Sequence, residues 1–239
     1  MLTFLRKIRR SLIESGTTRK YLLYAMGEIA LVVIGILIAL QINKWNEQRE
    51  DWVLEKLLLS EINREFLENK KQFERGVAAH KLAYMSTLDL VEYFPIQLEK
   101  TGVVDSVIIK LSQSLERYTF NPSQGTILSI LNNSTFEVIR DPELRRLLIS
   151  WNDWVQDYQE NESQKMLHSR AFLVPMLNNA LNFTNTSDER IDWEMLETLE
   201  FENVIRQRVH FLGDLVEGED YDAIHHAINR IIGLTEMTE

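Results

Sequence analysis

The 239 residues include no Cys, four Pro and nine Gly. Without Cys there is no disulfide framework, thiolate zinc site, iron–sulfur cluster or Cys nucleophile. The same absence leaves the redox compartment open, because a Cys-free chain suits either side of a membrane. So little Pro and Gly disfavours a turn-rich β-sandwich or barrel and favours long helices. An excess of basic charge is also missing. Lys and Arg number 26 against 36 Asp and Glu, a net charge of -10, which argues against nucleic acid as the main partner. A hydrophobic fraction of 45% belongs to a folded chain rather than a disordered one.

What is present is first of all a long apolar run. From Tyr21 to Ile42 the chain reads YLLYAMGEIALVVIGILIALQI, in which only Glu28 and Gln41 are strongly polar. About 22 residues at about 1.5 Å each reach about 33 Å, enough to cross a hydrocarbon core. The run is too long for a usual signal-peptide core, and no small-x-small cleavage site ends it. Tyr21 and Tyr24 mark one end and Trp45 the other, the aromatic belt of an uncleaved signal anchor. Residues 1–20 carry six cations and one anion. The positive-inside rule then places the N-terminus in the cytoplasm and the bulk of the chain across the membrane, which in a Gram-negative cell is the periplasm. The expected organisation is a basic amphipathic segment over 1–17, a transmembrane helix over 18–43 and a helical extracytoplasmic domain over 44–239. Arg6, Lys7, Arg9 and Arg10 alternate with Leu2, Leu5, Ile8 and Leu12. They read either as a helix lying on anionic lipid or as a topology signal alone.

A carboxyl inside a span is expensive and points to function. Helical spacing puts Glu28 on one face with Leu31, Val32, Gly35 and Ala39. Gly35 and Ala39 form a small-xxx-small pair, which lets helices approach closely, and a polar neighbour can hydrogen-bond across the contact. Three readings follow: a self-association seam with Glu28 at its heart, a side chain that reaches the interface without a specific task, or an ion or proton relay.

Beyond the span, helix signals continue to Tyr93-Phe94-Pro95. Trp45, Trp52, Leu59, Phe66 and Phe73 recur every seven residues, a seam that packs either within one subunit or between subunits. Gly76 is a weak point in this helix. A second helix is expected over about 102–118. Asn121 and Pro122, in Asn121-Pro122-Ser123-Gln124-Gly125, read as N-cap and first residue of a short third helix. Ser134-x-x-Glu137 reads as a capping box. Asp141-Pro142 opens a long helix running to about 183 with a break at Pro175. Asp192 caps a turn, and a last helix runs from about 200 to 234. The expected fold class is therefore all-α, a transmembrane helix continuing into an extramembrane bundle.

The stretch YLLYAMGEIALVVIGILIALQINKWNE, the basic Phe4-Leu5-Arg6-Lys7-Ile8-Arg9-Arg10 before it, Tyr118 to Gly125, Asp141-Pro142 and Trp151 together resemble a large family of single-pass proteins of Gram-negative bacteria built on a domain of unknown function. The resemblance covers nearly the whole chain. It implies inner-membrane anchoring and a helical outer domain, and it implies no activity.

Catalytic signatures are absent from the sequence. No Gly-rich phosphate loop, nucleophile elbow or zincin motif occurs. Asp222-x-x-His225 alone has the acid-x-x-His form, too little for a di-iron bundle. His225-His226 beside Glu217, Glu219, Asp220 and Asp222 reads as a solvated acidic loop in preference to a metal site. Ser123 has no evident activating partner. The expectation is thus a non-enzymatic membrane-anchored scaffold with no cofactor and no metal. It would partner the bilayer and self-associate through the span or join another membrane protein. The alternatives are a periplasmic sensor or ligand-binding bundle and an oligomeric ion or proton pathway using Glu28. The Asn121–Gly125 turn is the candidate ligand or partner contact outside the span.

Overall fold

The computed structural model describes residues 18–96, 103–182, 184–185 and 188–236. The protein is all-α, with no strand among the described residues. Its contacts divide it into two units, Met1–Leu54 and Glu55–Glu239.

The first unit holds the start of α1 (Thr18–Glu92), a helix of 75 residues. Every residue from 22 to 42 except the half-buried Ala25 is exposed. The apolar window has a mean hydropathy of 2.4, and none of it is buried. By length and composition this is the one helix among the described residues able to cross a membrane. The basic segment with Arg6, Lys7, Arg9 and Arg10 lies outside the described residues.

In the second unit the rest of α1 buries a stripe at Ile62, Phe66, Asn69, Phe73, Gly76, His80, Ala83, Thr87 and Leu90. The steps alternate between three and four residues, the spacing of a helix packed along one face. The seven-residue series read from the sequence is thus continued by His80 and Thr87. Within it Phe66 and Phe73 are core residues, Leu59 is half-buried, and Trp45 and Trp52 are exposed. Phe66 meets Trp151 edge-on at 4.8 Å and Phe73 meets Phe120 at 5.2 Å, so this part of the seam is filled within one chain. Gly76 does not loosen the helix. A Cβ there would lie 2.6 Å from Cδ1 of Tyr118, whose hydroxyl donates to the Gln72 carbonyl at 3.0 Å. Glycine lets the Tyr118 ring lie on the helix.

Around α1 follow α2 (Val103–Ser114), α3 (Gly125–Leu131), a 3-10 turn (Ser134–Val138), α4 (Pro142–His168), a π-helical turn (Ser169–Leu173), α5 (Val174–Ala180), a second 3-10 turn (Trp193–Glu197), α6 (Leu199–Glu217) and α7 (Glu219–Thr235). Two expected starts hold. The Asp141 carboxylate accepts from Leu144 N at 2.8 Å with Pro142 at the first helical position. Asp192 accepts from Met195 N at 3.3 Å. One core cluster gathers Leu90, Val107, Leu111, Leu177 and Phe201 with their neighbours. Burying such side chains contributes roughly 1.5–3 kcal/mol each.

Four expected boundaries are corrected. Helix α2 ends at Ser114 instead of about 118, because the Arg208 side chain takes the Ser114 carbonyl. Helix α3 starts at Gly125, with Gln124 in the cap position, so Asn121 and Pro122 lie outside it. One of its first amides is served from a distance, since the Glu65 carboxylate accepts from Thr126 N at 2.9 Å. The expected capping box is a 3-10 turn with Asn133 at its cap position and no side-chain cap hydrogen bond. The last helix is two, parted at Gly218, whose extended backbone brings a would-be Cβ within 2.3 Å of the Asp214 carbonyl. The expected break near Pro175 takes the form of the π turn just before it; Pro175 has no amide hydrogen to keep the α-helical ladder.

Candidate functional site

Three helices of the bundle carry charge on the faces they bury. On α4, Trp151, Val155, Tyr158, Glu162 and Lys165 form one buried stripe. On α6, Phe201, Val204, Ile205, Arg208 and Leu212 form another. His80 sits on the equivalent stripe of α1. His80 is 0% exposed, Arg208 2%, Glu162 4% and Lys165 5%. Charged side chains are almost never buried this deeply unless paired.

With Glu162 as carboxylate and Lys165 as ammonium, their bonds fix the His80 tautomer. Glu162 accepts from Phe120 N through both oxygens, at 3.1 and 3.0 Å, and lies 2.9 Å from His80 Nε2. His80 Nδ1 lies 3.3 Å from Lys165 Nζ. A carboxylate can only accept and an ammonium can only donate. His80 therefore carries its hydrogen on Nε2, leaves Nδ1 bare and is neutral. Burial, acting first, lowers the His80 pKa; the hydrogen bond to Glu162 works against it and Lys165 adds to it. The imidazole thus links an anion to a cation without being charged.

Lys165 and Arg208 are different. Arg208 Nε donates to the Ser114 carbonyl at 3.1 Å, a second nitrogen donates to the same oxygen, and the third donates to Ser169 Oγ. A cation at the carboxyl end of α2 is favourable. Among the described residues, however, neither Lys165 nor Arg208 forms an ion pair with a carboxylate. Burial is the main cause lowering Lys165 to about 8, with the positive charge of Arg208 next. Burial, then Arg117, lowers Arg208 to about 10. Both remain charged at neutral pH.

They face a cavity of about 270 Å³. Its walls are the segment between Leu115 and Asn121, α4 from Gln159 onward, the π turn and Arg208. Arg117 and Arg170 stand exposed around it, so four cations line it against two anions, Glu116 and Glu162. A chain of net charge -10 has concentrated positive charge here. The π turn contributes Ser169 and Arg170; such one-turn irregularities recur at functional sites.

The turn singled out in the sequence lies beside this cavity. Asn121 lines it, and Gln159 donates to the Phe120 carbonyl at 2.7 Å and to Asn121 Oδ1 at 3.3 Å. Ser123 exchanges a reciprocal pair of 2.8 Å hydrogen bonds with the Asn69 side chain. Its hydroxyl does have an acid within reach, contrary to the sequence reading, for it donates to Glu65 at 3.3 Å. That carboxylate is occupied as the helix cap for Thr126, which makes the contact structural. Pro122 and Gln124 are half-buried and Gly125 is exposed.

The predicted residues of the span are not brought together with these. Glu28 and Ala39 are exposed, nothing lies within 4 Å of a Cβ built on Gly35, and Tyr24 and Trp45 are 50% and 65% exposed. The Tyr21 side chain lies outside the described residues. No group of metal-ligating side chains occurs among the described residues, His225 and His226 included.

Sequence reasoning missed His80, Glu162, Lys165 and Arg208. The signal was available, since each interrupts an apolar stripe at an inward position. A scan against family models, a search of curated proteins and a search of solved structures each find no match.

Proposed function

We propose that the protein is a single-pass, membrane-anchored helical bundle whose second unit is a binding module for a small molecule, in preference to a bare scaffold. The observation that carries this reading is the cavity beside α4, lined by two buried cations that form no ion pair with a carboxylate among the described residues. For a scaffold such charges are expensive, because apolar residues of similar volume would pack there at lower free energy. A binding site needs a few placed polar groups held rigidly, which these helices supply. The anchor rests on the apolar helix that is exposed all round, and the basic N-terminal flank favours a cytoplasmic N-terminus with the bundle in the periplasm.

Native mass spectrometry of the full chain, released from membranes in mild detergent, tests the reading without prior choice of ligand. A small molecule held one per chain is expected; a chain that always carries the bare polypeptide mass contradicts it. Self-association through the span is a second reading, favoured by the open surface at Gly35 and Ala39. Gly35→Leu should then reduce the oligomer size on detergent chromatography, and an unchanged size would contradict it.

A further inference from the structure

We infer that the cavity is a seat for a small organic oxyanion, a carboxylate or phosphate group held between Lys165 and Arg208. The inference rests on the binding-module reading and adds the chemical class.

Donor counting supplies the first argument. A guanidinium has five N–H groups and an ammonium three. Arg208 spends one on Ser169 and two on the Ser114 carbonyl, and Lys165 spends one on His80. Two N–H groups remain on each, on side chains that line the cavity and are 2% and 5% exposed. Buried donors without acceptors are costly, and buried charges more so. An oxyanion supplies both the acceptors and the counter-charge, and hydrogen bonds to charged donors are the strong ones.

Of the two anions in the wall, the exposed Glu116 and the buried Glu162, neither forms an ion pair with Lys165 or Arg208 among the described residues. Both oxygens of Glu162 accept from Phe120 N, and one of them also meets His80. The neutral His80 stands between Glu162 and Lys165, so the carboxylate acts on the ammonium through space and not by a direct bond. The surrounding charge agrees, with Arg117 and Arg170 exposed where an anion would enter, a placement that raises the local concentration of anions. Size narrows the class further. About 270 Å³ is room for roughly nine water-sized units at about 30 Å³ each. That is room for a small organic acid such as succinate.

The test is thermal unfolding of the full chain in detergent with four additions at matched ionic strength: succinate, inorganic phosphate, succinamide and sodium chloride. Succinamide has the shape of succinate without its charge. Succinate or phosphate, whichever oxyanion source fits, should raise Tm by about 5 °C over sodium chloride at saturating concentration. Succinamide should not, and Lys165→Met should abolish the shift while Lys165→Arg keeps it. The double variant Arg117→Met, Arg170→Met changes only exposed positions and should at least halve the shift, which keeps the test decisive if Lys165→Met does not fold. An equal response to succinamide overturns the anion assignment and leaves the binding reading standing. A succinate shift that survives in Lys165→Met and in the double variant places the ligand elsewhere and overturns the seat. No response to any probe overturns the oxyanion class, and the binding reading then stands or falls on the native mass measurement.

Discussion

The two units break opposite rules. In the first, Leu22 to Ile42 expose apolar side chains around the whole circumference of one helix. In the second, three helices turn His80, Glu162, Lys165 and Arg208 inward, where Leu or Phe would pack more cheaply. Each violation identifies what is missing around it. Apolar surface with no protein on it calls for an apolar solvent, which the proposed bilayer supplies. Buried positive charge with no carboxylate on it calls for an anion, which the proposed ligand supplies. The comparison teaches that composition at a site means little until it is set against burial. Leu31 is 75% exposed and Lys165 is 5% exposed, and it is the inversion that informs.

The contrast can be broken from either side. The largest effect belongs to the bundle. Glu162→Leu removes the one buried carboxylate near Lys165 and Arg208, frees the Phe120 amide and strips His80 of its acceptor. A loss on the order of 3–5 kcal/mol is expected, read as a drop in the urea midpoint at unchanged slope. A loss below about 1 kcal/mol would mean the buried cations are solvated in fact. On the span, the reverse change is informative. Leu31→Arg should weaken membrane insertion by about 2.5–3.5 kcal/mol, visible as a larger share of chain extracted at alkaline pH, while the bundle's unfolding midpoint stays put. A matching fall in that midpoint would show that residue 31 supports the fold.

A smaller effect comes with pH. Burial holds Lys165 at about 8 in the folded chain against an ordinary 10.5. Between those values the unfolded chain carries the proton and the folded chain does not. Stability therefore rises with pH through this window and lacks that contribution below about 8. The lowered His80 acts with the same sign at lower pH, its contribution present above the ordinary 6.5 and lost as pH falls. From pH 7.5 to 9.5 the gain attributable to Lys165 is about 2 kcal/mol. It should disappear in Lys165→Met and shrink when a bound oxyanion neutralises the ammonium.

Much of the architecture is legible in the residues. The all-α class follows from apolar spacing and scarce Gly and Pro. The starts at Asp141-Pro142 and Asp192 follow from local capping chemistry, in which donor and acceptor lie three residues apart. What could not be read depends on partners far along the chain. Helix α2 stops at Ser114 because of a guanidinium 94 residues away. The start of α3 moves past Asn121-Pro122 because Glu65, 61 residues away, serves Thr126 N. Periodic Ile and Leu predict a single long helix over 200–234, but the close approach at Gly218 has no periodic trace. The site was half legible. His80 falls on the same seven-residue series as Phe66 and Phe73, and Lys165 falls on the stripe of Trp151 and Tyr158. What a one-dimensional pattern cannot show is that these positions meet around one cavity.

The most direct measurement is the titration of Lys165 itself, followed by NMR of the carbon next to its nitrogen in lysine-labelled full chain, with Lys165→Arg to assign the signal. A midpoint near 8 without added anion, moving upward by a unit or more with succinate or phosphate, is the predicted result. A midpoint near the ordinary 10.5 that no anion moves would show that the ammonium is already compensated, and would contradict the binding seat.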